Sequence, residues 1–160
     1  MIHAGIMGAT GYAGLELTRI LSAHPSVTIE KLGSASYAGK KVGELYPQLT
    51  PLQDRIYEEM DPQSWADACD VIFTCLPHGV SSDTVAALAP YGKPVIDLSG
   101  DYRYDDPAVY AKWYGMTHPY PELLANAVYG LTELYRDKVK DAQIIGNPGC
   151  YTTCSILGLT

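Results

Sequence analysis

The segment IMGATGYAG (residues 6–14) decides the fold of this chain, because it places three glycines between a predicted strand and a predicted helix. Glycine lets the backbone turn tightly and approach a phosphate, and the first turn of the following helix presents free amides and the positive end of its dipole. Gly8, Gly11 and Gly14 follow a G-x-x-G-x-x-G spacing, which differs from the usual G-x-G-x-x-G. The flanking strand and helix favour a dinucleotide site over a purely structural turn.

Short apolar runs alternate with helical patterns along the rest of the chain. The runs lie at residues 2–7, 27–33, 70–76, 94–99 and 142–146. The helical patterns lie at 12–23, 82–89 and 133–141, with further helix starts at Asp61-Pro62 and Asp106-Pro107. Each Asp-Pro pair offers a capping carboxylate and a proline at the first helical position, and Ser81 or Ser82 and Thr132 offer caps for two other helices. This alternation predicts an α/β fold, namely a doubly wound, Rossmann-like, mostly parallel sheet with helices on both faces.

Composition limits the classes of function. The chain has 160 residues, the size of one domain, and a net charge of -7 without a basic stripe, so a nucleic-acid partner is not expected. No apolar run approaches the ~20 residues that cross a bilayer, so no membrane partner is expected either. The N-terminus lacks a basic and then apolar leader, which predicts a cytoplasmic protein. In that compartment the four cysteines are free thiols, with Cys69 and Cys75 in the core, and no spacing indicates a metal site.

The turn after the second strand indicates which cofactor binds. NAD-binding folds usually carry an Asp or Glu about 20 residues after the glycines. The segment SASYAGKK (residues 34–41) contains Ser34, Ser36 and two lysines but no carboxylate. It can therefore accept a 2'-phosphate, which predicts NADP(H) over NAD(H), although a solvated lysine-containing loop would give the same pattern.

The segment IIGNPGCYTTCSILG (residues 144–158) places Cys150 after a strand, behind an Asn-Pro-Gly turn, at the start of a predicted helix. The dipole and the unpaired amides of a helix N-terminus favour a thiolate, and the same amides can hold an oxyanion. Cys154, one turn later, is predicted to be a shielded packing residue. A nucleophilic thiol in a nicotinamide-dependent fold suits chemistry through a thioester.

Two further segments follow predicted strands, at the sheet edge where ligands collect in such folds. Leu76, Pro77 and His78 belong to LPHG and are predicted to lie along the cofactor, with His78 either a positioning group or a base. In SGDYR (residues 99–103), Asp101 and Arg103 form either a structural ion pair or a substrate site, and the spacing does not decide between these roles.

Six motifs in order, GATGYAG, SYAGK, LPHG, S-x-D-x-R, YGLTE and GNPGCY, resemble N-acetyl-gamma-glutamyl-phosphate reductase over essentially the whole chain. The resemblance implies that Cys150 attacks the acyl phosphate, releases phosphate and forms a thioester that NADPH reduces to N-acetylglutamate 5-semialdehyde. It implies a cofactor site made of Gly8, Thr10, Gly11, Tyr12, Ala13, Gly14, Ser34, Ser36, Leu76, Pro77 and His78. As residues at the substrate we predict Ser99, Arg103 and Asn147.

Members of that family are about twice as long, with a second α+β domain that supplies the catalytic histidine and most oligomer contacts. We therefore expect this chain to be a fragment that is inactive alone, with an NADP-binding domain at 1–149 and the nucleophile helix of a truncated domain at 150–160. The full-length form is expected to be a homo-oligomer.

The sequence is also compatible with two other functional hypotheses. Aspartate-semialdehyde dehydrogenase shares the fold order, an acyl-phosphate substrate, the cysteine and NADP. Alternatively, the chain is a stand-alone NADP-binding module whose Cys150 senses redox state.

Overall fold

The structure is a computed structural model that describes residues 1–160. The chain divides into two compact units, Met1–Leu76 and Pro77–Thr160. In each unit, parallel strands are connected through helices, so the predicted doubly wound, mostly parallel α/β fold is confirmed. None of the helices combines the length and the apolar character that crossing a bilayer requires. The predicted domain boundary at residue 149 stays a prediction.

The first unit contains three parallel strands. Its elements are β1 (Ile2–Met7), α1 (Tyr12–Ser22), β2 (Val27–Gly33), α2 (Val42–Leu45), α3 (Pro62–Ala68) and β3 (Val71–Thr74). The strand order is β2-β1-β3, and Met7 at the end of β1 lies opposite Gly33 on one side and Thr74 on the other. The carboxyl ends of all three strands therefore meet at one edge, where the glycine turn begins.

The core of the first unit lies between its sheet and α1. Ile6, Ile29 and Leu32 are buried with Leu21 of α1, and Leu15 and Leu17 of the helix pack against them. Behind β1, a Cβ on Gly5 would lie 2.9 Å from the Cys69 sulfur. Cys69 is buried, as predicted, and burial raises the pKa of its thiol to about 11. Cys75 is half-buried.

The second unit contains three further parallel strands. Its elements are α4 (Ser81–Leu88), β4 (Val95–Asp97), α5 (Pro107–Tyr114), α6 (Pro121–Leu124), β5 (Val128–Tyr129), α7 (Thr132–Lys140), β6 (Ile144–Gly146) and α8 (Cys150–Leu159). The order is β4-β6-β5, with Val95 opposite Ile144 and Asp97 opposite Gly146. Val85 and Leu88 of α4 are fully buried. The segments that follow β4 and β6 thus begin at adjacent positions.

The predicted helix starts are confirmed at the two Asp-Pro pairs and wrong at the serine and threonine caps. Asp61 accepts a hydrogen bond from the Ser64 amide, and Asp106 accepts one from the Ala108 amide, both at 2.8 Å. Helix α4 begins at Ser81 with Val80 as its N-cap, and α7 begins at Thr132 itself. The short elements α6 and β5 were not predicted, because four and two residues carry too little periodicity.

Candidate active site

In the turn between β1 and α1, Gly8 and Gly14 lie in close contact with neighbouring backbone atoms. Gly8 has a φ of +82°, and a Cβ there would lie 2.5 Å from the Cys75 carbonyl oxygen. A Cβ on Gly14 would lie 2.2 Å from the Gly8 carbonyl oxygen, so α1 starts in backbone contact with the turn. Both positions therefore require glycine, for close approach within the protein.

Gly11, in contrast, is not tightly packed at the N-terminus of α1. The nearest atom to a Cβ at Gly11 would be 3.7 Å away, no side chain caps the helix, and its first turn holds no acidic residue. The amides that begin α1 at Tyr12, Ala13 and Gly14 therefore have room and favourable polarity for a phosphate group. This end of the helix fits the pyrophosphate of a dinucleotide.

Thr10 and Ser34 connect the glycine turn to the turn after β2. Their hydroxyl oxygens are 3.0 Å apart, the Ser34 hydroxyl accepts a hydrogen bond from the Tyr37 amide at 3.2 Å, and the Tyr46 hydroxyl donates to the Thr10 carbonyl at 2.6 Å. Ser34 is buried, so its side chain holds the two turns together. The sequence placed Ser34 in the correct turn but did not indicate this partner.

The rest of the turn after β2 is exposed and has no carboxylate of its own. Ser36 and Lys40 lie on the surface, and the Lys40 Nζ is 3.9 Å from Glu44. Lys41 pairs with Asp54 at 2.9 Å, and this hydrogen bond raises the pKa of Lys41. Ser36 and Lys40 are therefore the polar side chains that this turn leaves most available to a ligand.

The LPHG segment continues from β3. Leu76 closes the first unit, where its Cδ2 would lie 3.1 Å from a Cβ on Gly8. Pro77 opens the second unit, and its carbonyl oxygen accepts hydrogen bonds from the amides of Val80 and Ser81 at 3.1 and 3.2 Å. Gly79 has a φ of +83°, so the chain reverses at this point.

Asp101 is the fully buried centre of a polar network in the second unit. Its carboxylate accepts hydrogen bonds from the amides of Gly79 and Ser82 at 2.9–3.0 Å and from the Tyr110 hydroxyl at 3.2 Å. The His78 Nδ1 lies 2.5 Å from the same carboxylate. The carboxylate thus fixes the His78 ring and satisfies amides at the start of α4.

The sequence-based option of an Asp101–Arg103 ion pair is wrong, because Asp101 pairs with His78. Ser99 also forms its hydrogen bonds with nearby residues. Its hydroxyl donates to the Asp97 carboxylate at 2.6 Å and accepts from the Asp101 amide at 3.0 Å. Spacing alone missed these pairings, since consecutive loop residues point in different directions.

Aromatic rings surround His78 and were not predicted to be near it. Its ring centroid lies 4.3 Å from that of Tyr114 and 5.8 Å from that of Tyr110. His118 is buried against Tyr102 and Tyr110 with edge-to-face geometry at 5.0 and 4.9 Å. Burial raises the pKa of both tyrosines and lowers the pKa of His118. The Asp-Pro cap located α5, but no sequence signal placed its tyrosines beside His78.

The thiol of Cys150 lies at the first residue of α8, as predicted. The Asn147 amide donates to the Asp97 carbonyl at 2.8 Å, and Gly149 is the N-cap of the helix with an extended backbone. Cys150 is exposed, no side chain caps Gly149, and the first turn has no acidic residue. The arrangement can present a nucleophilic sulfur beside unpaired amides.

Cys154 differs from its prediction, because it is exposed rather than shielded. Helix α8 has no buried residue, and Leu157 and Leu159 are exposed too. Next to the helix lies a cleft of about 440 Å³. It is lined by Gly149, Tyr151, Thr152 and Ile156 together with Arg103, Tyr104, Tyr114, Tyr129 and Tyr135.

Comparisons with known proteins identify the family to which this fold is similar. Residues 3–142 match the family model described as semialdehyde dehydrogenase, NAD binding domain. Two proteins named N-acetyl-gamma-glutamyl-phosphate reductase, from Acetivibrio thermocellus and Thermoanaerobacter pseudethanolicus, are 47% and 48% identical over 99% of this chain and 46% of their own length. The chain thus spans about half the length of the curated relatives it matches.

Solved structures show the same fold. An aspartate semialdehyde dehydrogenase from Candida albicans, solved with NADP, has a TM-score of 0.68 at 26% identity, covering 96% of this chain and 44% of that one. An aspartate semialdehyde dehydrogenase II from Vibrio cholerae has a TM-score of 0.68 at 18% identity, covering 99% and 45%, a likeness of fold alone.

Proposed function

This chain belongs to the semialdehyde dehydrogenase NAD-binding domain family, and from that membership we propose that it serves the NADPH-dependent reduction of N-acetyl-gamma-glutamyl phosphate to N-acetylglutamate 5-semialdehyde. The observation that carries the proposal is the exposed Cys150 thiol at the first residue of α8, in a chain whose curated relatives are reductases of that name. Because the chain spans about half of those relatives, the activity is proposed for the longer protein, in the cytoplasm and as a homo-oligomer.

Cys150 acts as the nucleophile. Its thiolate adds to the acyl carbon, the bond from that carbon to the phosphate oxygen breaks, and phosphate leaves, so that the acyl group becomes a thioester of Cys150. The amides that begin α8 can stabilise negative charge on the acyl oxygen during the attack. The absence of a capping side chain at Gly149 leaves those amides available.

The cofactor site is assigned to the glycine turn and the turn after β2. Its residues are Gly8, Thr10, Gly11, Tyr12, Ala13, Gly14, Ser34, Ser36, Leu76, Pro77 and His78. NADPH held by these residues would supply a hydride to the thioester carbonyl, and the role proposed for Cys150 is to leave as the thiolate when the aldehyde is released. The preference for NADP(H) over NAD(H) is supported by the turn at residues 34–41, which has no carboxylate to repel a 2'-phosphate.

The substrate is assigned to the turn before α8. Arg103 and Asn147 lie in contact there, and Arg103 has no carboxylate partner, so its charge is available to an anionic substrate. Ser99, the third residue predicted at the substrate, supports this region through its bonds to Asp97 and Asp101. The tyrosine-lined cleft of about 440 Å³ beside Gly149 has room for the acyl chain.

The test of the thiol's role is acylation by N-acetyl-gamma-glutamyl phosphate without NADPH, followed by intact-mass and peptide mass spectrometry. We expect one N-acetylglutamyl adduct, on Cys150, that hydroxylamine removes. Cys154→Ser is the matched control, since Cys154 is an exposed cysteine of the same helix, and it should retain the adduct while Cys150→Ser loses it. An adduct on Cys154 alone, or none on the folded protein, contradicts the proposal.

The same assay separates the nearest alternative. The Candida albicans structure, an aspartate semialdehyde dehydrogenase at 26% identity, favours aspartyl phosphate as a second candidate substrate, with aspartate semialdehyde as its reduced product. If the chain serves the reductase reaction, aspartyl phosphate should acylate Cys150 at least about tenfold more slowly, a difference of about 1.4 kcal/mol in activation free energy. Faster acylation by aspartyl phosphate assigns the chain to the other reaction.

A further inference from the structure

Arg103 joins the end of β4 to the turn that carries Cys150. Its Nε donates to the Asn147 carbonyl at 2.8 Å, and its Nη2 donates to the Leu98 carbonyl at 3.1 Å. These two carbonyls belong to segments 49 residues apart in sequence, which follow the paired strands β4 and β6. A single half-buried guanidinium therefore fixes the distance between the two strand ends.

The backbone that carries Arg103 is itself fixed. The side chain of Tyr102 is buried, its hydroxyl donates to the Ser82 carbonyl at 3.1 Å, and its ring packs against His118. A Cβ on Gly146 would lie 2.0 Å from the Tyr102 carbonyl oxygen and 3.1 Å from the Arg103 amide nitrogen. The end of β6 therefore passes directly against the backbone from which the Arg103 side chain extends.

The guanidinium also contacts the residue that immediately precedes Cys150. A Cβ on Gly149 would lie 3.2 Å from the Arg103 Nη1. The φ of Gly149 is -75°, a conformation that any residue adopts, so the backbone does not require glycine there. The space beside Gly149 is instead occupied by Arg103.

We propose that Arg103 is a positioning residue for the Cys150 thiol: it holds the Asn147–Gly149 turn so that Cys150 stays at the first position of α8. This inference rests on the proposed role of Cys150 as the nucleophile. A planar guanidinium directs several donors in a fixed fork and can join two carbonyls while packing against Gly149, whereas a lysine ammonium on a flexible stem cannot hold both. Positioning and charge therefore predict different behaviour for a lysine replacement.

The test measures alkylation of Cys150 by iodoacetamide, with each cysteine resolved by peptide mass spectrometry. This neutral reagent needs neither substrate nor cofactor, so a role of Arg103 in binding an anion does not affect it. We expect Arg103→Met and Arg103→Lys each to slow alkylation of Cys150 by about tenfold, because the thiol loses its fixed placement beside the helix amides. Arg55→Met is the matched control: Arg55 also joins two carbonyls, those of Ile29 and Glu30, and its variant should leave the rate within about twofold.

A second variant tests the same contact from the other side and does not depend on the Arg103 variants folding. Gly149→Ala is compatible with the backbone, but its methyl group lies close enough to the Arg103 Nη1 to push the guanidinium slightly, so it should slow alkylation of Cys150. Gly158→Ala, in open space on the same helix, should leave that rate unchanged. In the double variant, Arg103→Met with Gly149→Ala, alkylation of Cys150 should slow by less than the product of the two single effects.

Two outcomes overturn the inference. If folded Arg103→Met, Arg103→Lys and Gly149→Ala proteins all alkylate at the wild-type rate, Arg103 does not position the thiol. If Arg103→Lys keeps the wild-type rate and Arg103→Met loses it, Arg103 acts through charge. Failure of the proposed function is distinguishable, because wild-type Cys150 would then remain unacylated by the acyl phosphate whatever its alkylation rate.

Discussion

Gly14 and Gly11 lie three residues apart but are constrained by different neighbours. A methyl group on Gly14 meets the backbone of Gly8, which cannot move aside, whereas one on Gly11 would lie 3.7 Å from the Gly8 carbonyl oxygen, an ordinary van der Waals contact. We expect Gly14→Ala to lower the free energy of unfolding by about 3 kcal/mol through overpacking, and Gly11→Ala to lower it by less than about 1 kcal/mol. Gly11→Ala should still weaken NADPH binding, since its methyl group covers the helix amides. Urea unfolding measures the two stability losses, and equal losses would contradict the packing argument. Fluorescence titration measures NADPH binding.

His118 gives the fold a dependence on pH. Its Nδ1 accepts a hydrogen bond from the Tyr120 amide at 3.1 Å, its Nε2 is buried without a partner, and burial lowers its pKa below the ordinary 6.5, although the Asp101 charge opposes this. The unfolded chain therefore binds a proton more readily than the folded one. The stability that neutral His118 contributes is present above pH 6.5 and is lost as pH falls through the lowered pKa.

His118→Asn should remove that dependence, because asparagine does not titrate and its side-chain oxygen can replace Nδ1 as the acceptor. The wild-type free energy of unfolding should fall relative to the variant below pH 6.5, with a slope of at most about 1.4 kcal/mol per pH unit. Urea unfolding between pH 5 and pH 8 measures the difference. Parallel curves for the two proteins would show that His118 takes up its proton equally in both states.

At the scale of single residues, the positions of the motifs could be predicted from the sequence better than the hydrogen-bond partners of their side chains. Cys150 could be predicted because a strand, a turn and a helix start are local patterns. The bond from Ser34 to Thr10 and the pairing of His78 with Asp101 could not, since they join residues 24 and 23 positions apart whose side-chain directions depend on tertiary packing. Cys154 was wrongly predicted to be shielded, because apolar spacing in α8 does not specify whether any face of the helix is covered.

Among the elements, α4 depends on a residue outside itself. Its N-cap Val80 has no capping side chain, and Asp101 supplies the acceptor for the Gly79 and Ser82 amides. Asp101→Ala should lower the free energy of unfolding by about 3 kcal/mol, the equivalent of two charge-assisted hydrogen bonds. Asp106→Ala, which removes the local cap of α5, should cost about 1 kcal/mol. Chemical denaturation compares them, and a smaller loss for Asp101→Ala would contradict the assignment of a remote cap.

Elements with strong local signals were predictable and the others were not. Helices α3 and α5 start at Asp-Pro pairs whose carboxylates cap them, which is chemistry contained within three residues. The start of α4 was assigned to Ser81 or Ser82, but their hydroxyls bond to Asp97 and to the Gly79 carbonyl. A serine near a helix start is a cap only when no better partner is present.

At the scale of the whole molecule, the parallel α/β fold followed from continuous apolar runs separated by helices. The same fold predicts coupling between cofactor and stability, because the glycine turn exists in the folded state alone. NADPH at about 100 times its dissociation constant should raise the free energy of unfolding by about 2.7 kcal/mol. At the same concentration NADH should stabilise less if the turn at residues 34–41 favours a 2'-phosphate. Thermal unfolding with each cofactor measures this, and equal stabilisation would contradict the predicted preference.

The remote cap of α4 also has a consequence for the order of folding. Gly79 and Asp101 are 22 residues apart, and all of α4 and β4 lies between them. Before Asp101 reaches its place, two amides at the start of α4 have no acceptor within the protein, and an eight-residue helix without a cap is marginal in water. During synthesis α4 should therefore remain frayed until the chain has grown past β4, so that this helix is completed by the segment that follows the next strand.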